Sequence, residues 1–241
     1  MTKVLLIARR ELGAYLRSPL GYVIAAIVLL VDGLLFNAFA LGPDRRLSGE
    51  VLRDFFYFSS GTTMIAALLL SMRLLAEERQ SGTFVLLRTS PLSEWAVVLG
   101  KYLSALIFLG LITLATLYLP LLILVNGKIG WGHLAVGYLG LLLLGSASLG
   151  VGILASALAP NQVLAAVSGA AILVALLVSW LLARVSDPPL DAVFASFALY
   201  NKHFVPFMGG LLHLRDVVYY LSVTFFGLLL AVRIEAARRW S

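Results

Sequence analysis

Six runs of apolar residues, separated by short polar segments, leave this chain one kind of fold. They cover residues 20–41, 55–75, 96–125, 134–158, 162–183 and 215–234. Each is long enough, or nearly so, to cross a hydrocarbon layer about 30 Å thick, which takes about 20 residues of helix. Lipid offers no hydrogen-bond partner to the backbone, so each run is predicted to be helical. With 61% hydrophobic and 12% charged residues, the chain lies far from soluble proteins, which are about half apolar and a quarter charged. The expected fold class is an all-α polytopic membrane protein, with residues 1–241 forming a single transmembrane domain. Pro120 is expected to bend the far end of the third span, because proline removes a helical N–H and clashes with the preceding turn.

The basic residues set an orientation. With an even number of spans both termini share a side, and that side holds Lys3, Arg9, Arg10, Arg17, Arg73, Arg79, Arg88, Lys101, Arg233, Arg238 and Arg239. They outnumber Arg45, Arg46, Arg53, Lys128, Arg184, Lys202 and Arg215 on the other. The positive-inside rule then places both termini, and the loop after span two, in the cytoplasm. The same distribution argues against nucleic acid, since no basic stripe interleaves with exposed aromatics. A cleavable leader is not expected, because Lys3, Arg9, Arg10 and Arg17 leave only Val4–Ala8 as an apolar stretch.

Residues 2–17 pattern as a helix on the membrane surface. Lys3, Arg10 and Arg17 recur every seven residues on one stripe, with Leu5, Leu12 and Leu16 elsewhere. Ser18-Pro19 ends it. Small residues repeat at every fourth position, as Ser148, Gly152 and Ser156 in span four and as Ala165 and Gly169 in span five. That spacing lets helix backbones approach closely. The short turn at 159–162 makes these two spans an antiparallel hairpin. Helix packing is the expected role, and Gly152→Leu is expected to lower activity without abolishing insertion.

No catalytic site is legible. Gly100-Lys101 lacks the upstream glycine of a phosphate-binding loop, and Leu47-Ser48-Gly49-Glu50 stands in a short loop with no such partner. The zero cysteines exclude thiolate chemistry, and His133, His203 and His213 have no metal-ligand spacing. No metal site is expected. Asp32 is the one acid well inside a span, with Asn37 further out. An intramembrane carboxylate marks either a pathway or a buried hydrogen bond, and both readings stay open.

The segment 77–93 carries the strongest functional hint. Glu77 and Glu78 extend span two as a polar helix end. Ser81-Gly82-Thr83 can cap a short helix, on which Phe84, Leu87 and Arg88 share a face. Ser90-Pro91 ends it, and Ser93 caps the third span. Such a face suits a groove on a soluble partner, or else rests on lipid as an interfacial turn.

The order of surface helix, six spans and a capped short helix between spans two and three resembles the ABC-2 type permeases, membrane subunits of ATP-binding-cassette exporters. The motifs that carry the resemblance are Arg10-Glu11-Leu12 with Ser18-Pro19-Leu20-Gly21-Tyr22, and Glu77-Glu78-Arg79-Gln80-Ser81-Gly82-Thr83 running to Ser90-Pro91 and Gly100-Lys101. A third, Leu214-Arg215-Asp216-Val217-Val218-Tyr219-Tyr220 to Arg238-Arg239-Trp240, is similar to the gliding-motility and nitrous-oxide-reductase-maturation type. The resemblance implies a cytoplasmic coupling helix at Thr83–Thr89, with Glu77 and Glu78 at its hinge. It implies two copies of a separate ATPase that binds ATP and Mg, a second permease copy or a paralogue, and a prokaryotic inner membrane. In relatives the stretch before the last span dips into the outer leaflet, and 194–214, rich in Phe194, Phe197, Phe204 and Phe207, has a matching composition. Two other classes stand beside this one: a membrane scaffold for a larger machine, and an ion-coupled carrier built around Asp32.

Overall fold

A computed structural model describes residues 2–40, 47–82, 93–125 and 127–239. Among these residues there is no strand, and six helical stretches are long and apolar enough to cross a membrane: Pro19–Phe39, Ser48–Gln80, Glu94–Val125, Trp131–Leu158, Gln162–Val185 and Leu214–Arg238. The chain is an all-helical polytopic membrane protein. Helix α1 (Thr2–Arg17) precedes the first span, α2 (Pro19–Leu35), which ends in a π turn at Phe36–Ala40. Span two is α3 (Ser48–Ser71) and α4 (Ala76–Gln80), and span three is α5 (Glu94–Ala115) and the short α6 (Tyr118–Leu122). Then follow α7 (Trp131–Leu158), α8 (Gln162–Val185), the short α9 (Leu190–Phe197) and α10 (Val205–Met208), and α11 (Leu214–Arg239).

Local chemistry sets several of these boundaries. Ser18 caps α2 by accepting from the Gly21 N–H, with Pro19 at the first helical position, where no N–H is needed. Ser93 and Asn161 cap α5 and α8 in the same way. The third span breaks at Thr116–Leu117, where Pro120 would otherwise press its ring against the Thr116 carbonyl. The Thr116 hydroxyl turns back to the Thr113 carbonyl and meets the Tyr138 hydroxyl at 3.1 Å.

Helix α7 is the axis of the bundle. Of its apolar stretch 83% is buried, against 22% for that of α8. It packs against α3, α5, α8, α10 and α11. Its closest neighbour is α11: a Cβ on Gly150 would stand 3.0 Å from the Thr224 Cα, and one on Gly227 would overlap the Gly150 backbone. Beside that crossing, Tyr102, Ser146 and Thr224 join three helices through hydroxyl contacts of 2.6 and 3.0 Å. The small-residue stripe serves more than one seam. Gly169 of α8 packs on Gly152 and Ala155, while Gly152 itself lies against Ser71 of span two.

Two apolar clusters fill the bundle. One, toward the end away from the termini, centres on Phe55, Phe56, Tyr138, Phe204, Phe207 and Tyr220. The other lies nearer the termini and includes Tyr15, Leu70, Val98, Phe108, Leu149 and Val232. Within 194–214, Phe204 and Phe207 are fully buried and Phe197 is exposed. The Leu199 N–H donates to the Leu176 carbonyl, and the Leu199 carbonyl accepts from Tyr220, so this segment is tied to α8 and α11.

Because the α7–α11 crossing has no room for a side chain, Gly227→Leu should lower the thermal midpoint of the detergent-solubilised protein by an amount matching about 1–3 kcal/mol of overpacking. Gly61→Leu, with open space at its Cβ, should leave the midpoint near wild type.

Candidate functional site

The end of the bundle that holds the termini gathers α1, α4, the start of α5, the turn after α7 and the end of α11. Helix α3 stops at Ser71, and the chain turns through 72–75 before α4 begins. That break frees backbone groups, and one hydroxyl takes up three of them. Ser156 Oγ accepts from the N–H groups of Leu75 and Ala76, each at 3.0 Å, and donates to the Met72 carbonyl at 3.1 Å. A hydroxyl has one donor and two acceptor sites, so Ser156 is fully used.

Arg79 holds the other side of α4. Its Nη1 donates to the Ser156 and Ala159 carbonyls at 3.1 and 2.6 Å, and its Nη2 pairs with Glu235 of α11. Arg238 donates to the Leu158 carbonyl at 3.0 Å. Cations at a helix C-terminus satisfy its orphan carbonyls and oppose its dipole. The end of α7 is therefore capped from span two and span six together.

Lys101 joins the remaining two elements. Its side chain is 4% exposed and stands 2.7 Å from Glu78 Oε1 of α4 and 3.4 Å from Glu11 Oε1 of α1. Burial favours a neutral Glu11, yet Lys101 and Arg10 outweigh it and hold the carboxyl below its usual range. The preceding residue explains how the helices come so close: a Cβ on Gly100 would stand 2.8 Å from Ile7 and 3.0 Å from the Val4 carbonyl. Tyr15 completes the seat of α1 by donating to the Leu70 carbonyl at 3.0 Å and stacking on Phe108. Arg73 lies over the Tyr15 ring and pairs with Glu77 through two contacts of 2.8 and 3.0 Å. An open cleft of about 310 Å³ remains among these groups, lined by Arg10, Glu11, Tyr15, Glu77, Glu78 and Lys101. Its charged groups pair within the chain, Arg10 with Glu11, Arg73 with Glu77, and Lys101 with Glu11 and Glu78. Among the described residues no group of three metal-ligating side chains converges.

The residues singled out in the sequence do not all meet. Glu77 and Glu78 stand at this cleft, whereas Thr83, Phe84, Leu87 and Arg88 lie outside the described residues. Asp32 lies deeper in the bundle, where it accepts from Thr62 at 2.7 Å and Ser59 at 3.3 Å, both on α3. Asn37 is exposed on the π turn and does not join it. Among the described residues Ser148 bonds only the Leu144 carbonyl of its own turn, and Ala165 packs with Ala76 and Ala159 beneath the capped turn.

Sequence reasoning missed Glu11, Arg79, Lys101 and Glu235 as a network. The available signal was a lysine directly after a glycine at the start of an apolar span, with acids at the ends of two others. It also missed a buried pair at the opposite end, where His203 Nδ1 lies 2.8 Å from Asp216 and the ring stacks on Tyr219.

Ser156→Ala should strand two buried N–H groups and destabilise the protein by about 2 kcal/mol in detergent unfolding. Ser148→Ala, which frees only a hydroxyl bonded within its own helix, should cost well under half as much.

A family model described as ABC-2 type transporter matches residues 2–179. The match takes in α1, α4, α5 and the turn after α7, and stops short of Glu235. No curated protein matches the sequence.

Proposed function

Since this chain belongs to the ABC-2 type transporter family, as a membrane permease component, we propose that it is the transmembrane subunit of an exporter powered by a separate ATPase. Two copies of that ATPase bind ATP and Mg, and two permeases, identical or paralogous, complete the assembly. The termini and residues 83–89 face the cytoplasm of a prokaryote, as the excess of basic residues at that end suggests. Thr83, Phe84, Leu87 and Arg88 form the contact face for the ATPase. The gliding-motility and nitrous-oxide-reductase-maturation likeness rests on 214–240, beyond the matched residues, and is part of this proposal.

One observation carries the reading. Residues 75–82, which lead directly into 83–89, are fastened to α7 through Ser156 and the Arg79 side chain, to α11 through Glu235, and to α5 through Lys101, which also meets Glu11 of α1. A push on 83–89 therefore reaches spans two, three, four and six and the α1 helix at once. An isolated interfacial turn would have no need of such anchorage. A partner shifts a conformational equilibrium only by binding its states differently. In this reading the ATPase supplies that difference, and the anchored hinge conveys it.

The carrier reading is less well supported, because the hydroxyls of Ser59 and Thr62 already account for Asp32. A scaffold without transport would show the same anchorage, so the experiment must address the partner. Tagged chain pulled from native membranes should bring down a nucleotide-binding ATPase. Phe84→Glu/Leu87→Glu should reduce that recovery at least about tenfold while leaving membrane insertion intact. Recovery of no ATPase with the wild type would remove the proposed engine. ATPase activity in the recovered complex that rises with an added substrate would separate an exporter from a scaffold.

A further inference from the structure

The end of α8 away from the termini carries an arrangement that coupling does not use. The α8 helix, 24 residues and about 36 Å long, slightly exceeds the hydrocarbon thickness of about 30 Å. Its last turns, which hold Trp180 and Arg184, therefore reach headgroup depth, where tryptophan and arginine are favoured. From there the chain returns through α9 to the turn at 198–202. Between these parts lies an open groove of about 490 Å³, with Trp180, Arg184, Asn201 and Lys202 among its walls.

The groove is cationic. The Arg184 guanidinium carbon sits 4.7 Å from the centre of a Trp180 ring. Stacking of this kind uses the face of the aromatic ring and leaves the guanidinium N–H groups able to donate. Among the described residues neither Arg184 nor Lys202 forms an ion pair, not even with Asp187 or Asp191 nearby in the chain. At the opposite end of the bundle, by contrast, Arg73, Arg79 and Lys101 each have a carboxylate. Two cations, an amide and an indole facing one groove match a phosphate oxyanion.

An apolar surface adjoins it. Val193 and Phe197 of α9 are 47% and 55% exposed, and Leu181 of α8 is 45% exposed. A free phosphate gains nothing from that surface, whereas acyl chains do. We infer that this groove binds the headgroup of an anionic phospholipid, with Arg184 and Lys202 on the phosphate and the exposed faces of α8 and α9 along the acyl chains. The inference rests on the transmembrane fold and is independent of the ATPase.

The test is native mass spectrometry of the purified full chain with phosphatidylglycerol or phosphatidylcholine added to the micelles. Phosphatidylglycerol should be retained in preference. Arg184→Gln/Lys202→Gln should lower its retention about five- to tenfold, as expected for two partly exposed ionic contacts. Lys128→Gln, an exposed cation outside the groove, should leave retention unchanged. Equal loss with Lys128→Gln would mean diffuse charge attraction and would overturn the site, as would wild-type retention by the double variant. Displacement by millimolar inorganic phosphate would show a free-phosphate site and would refute the lipid. Should the double variant fail to fold, Lys202→Gln alone decides: a two- to threefold loss, on the order of one exposed contact, supports the groove and no loss overturns it.

Discussion

A lysine ammonium almost wholly buried at the mouth of an apolar bundle must be paired, and Lys101 is paired twice. Transfer of a lone charge into such a setting costs far more than a folded domain can spare. Glu78 and Glu11 come from different helices, so the requirement that Lys101 be paired also fixes α1 and α4 against α5. Gly100 makes the approach possible by removing the side chain that would hold α1 away. Arg79 repeats this logic on the other side of α4, with Glu235 and the last carbonyls of α7 as its partners.

These two cations sit at one end of a largely apolar bundle, whose other buried charge-bearing groups include Asp32 and the His203–Asp216 pair. Along α7 most contacts are methyl groups, aromatic rings and glycines, with polar ties from Tyr102, Ser146 and Thr224, from Tyr138 to Thr116, and from His133 to the Met208 carbonyl. Helices α2 and α8 lie further out, their apolar surfaces largely uncovered by protein. The arrangement separates a tightly joined group of spans from two peripheral ones. In the proposed transporter the hinge is fastened to the joined group, where a displacement would be shared.

How much of this the sequence disclosed follows from which forces leave a periodic trace. Lipid imposes long apolar runs, so all six spans were legible, and so were the Ser93 cap, the break at Ser18-Pro19 and the one before Pro120. Hydropathy marks the lipid boundary and not the helix boundary: span two was expected at 55–75, yet its helix begins at Ser48 because Val51 and Leu52 are buried against neighbours. The small-residue stripe gave the face of α7 but not its partners, since spacing carries no information on which helix approaches. Gly152 turned out to face span two as well as α8, and Ser156 to serve the break in span two. Glu77 and Glu78 were readable as a polar helix end. The network around them was not, because Glu11, Lys101 and Glu235 are brought to that end only by the tertiary fold.

The central claim is that Lys101 and Glu78 act as one buried unit joining the hinge to span three. A double-mutant cycle with Lys101→Met, Glu78→Gln and the pair, followed by unfolding in mixed micelles of rising SDS fraction, measures it directly. The account predicts a coupling of at least about 1 kcal/mol, with the double variant more stable than the two single losses would sum to. Losses that add within about 0.5 kcal/mol would show the two residues to be independent and would contradict it.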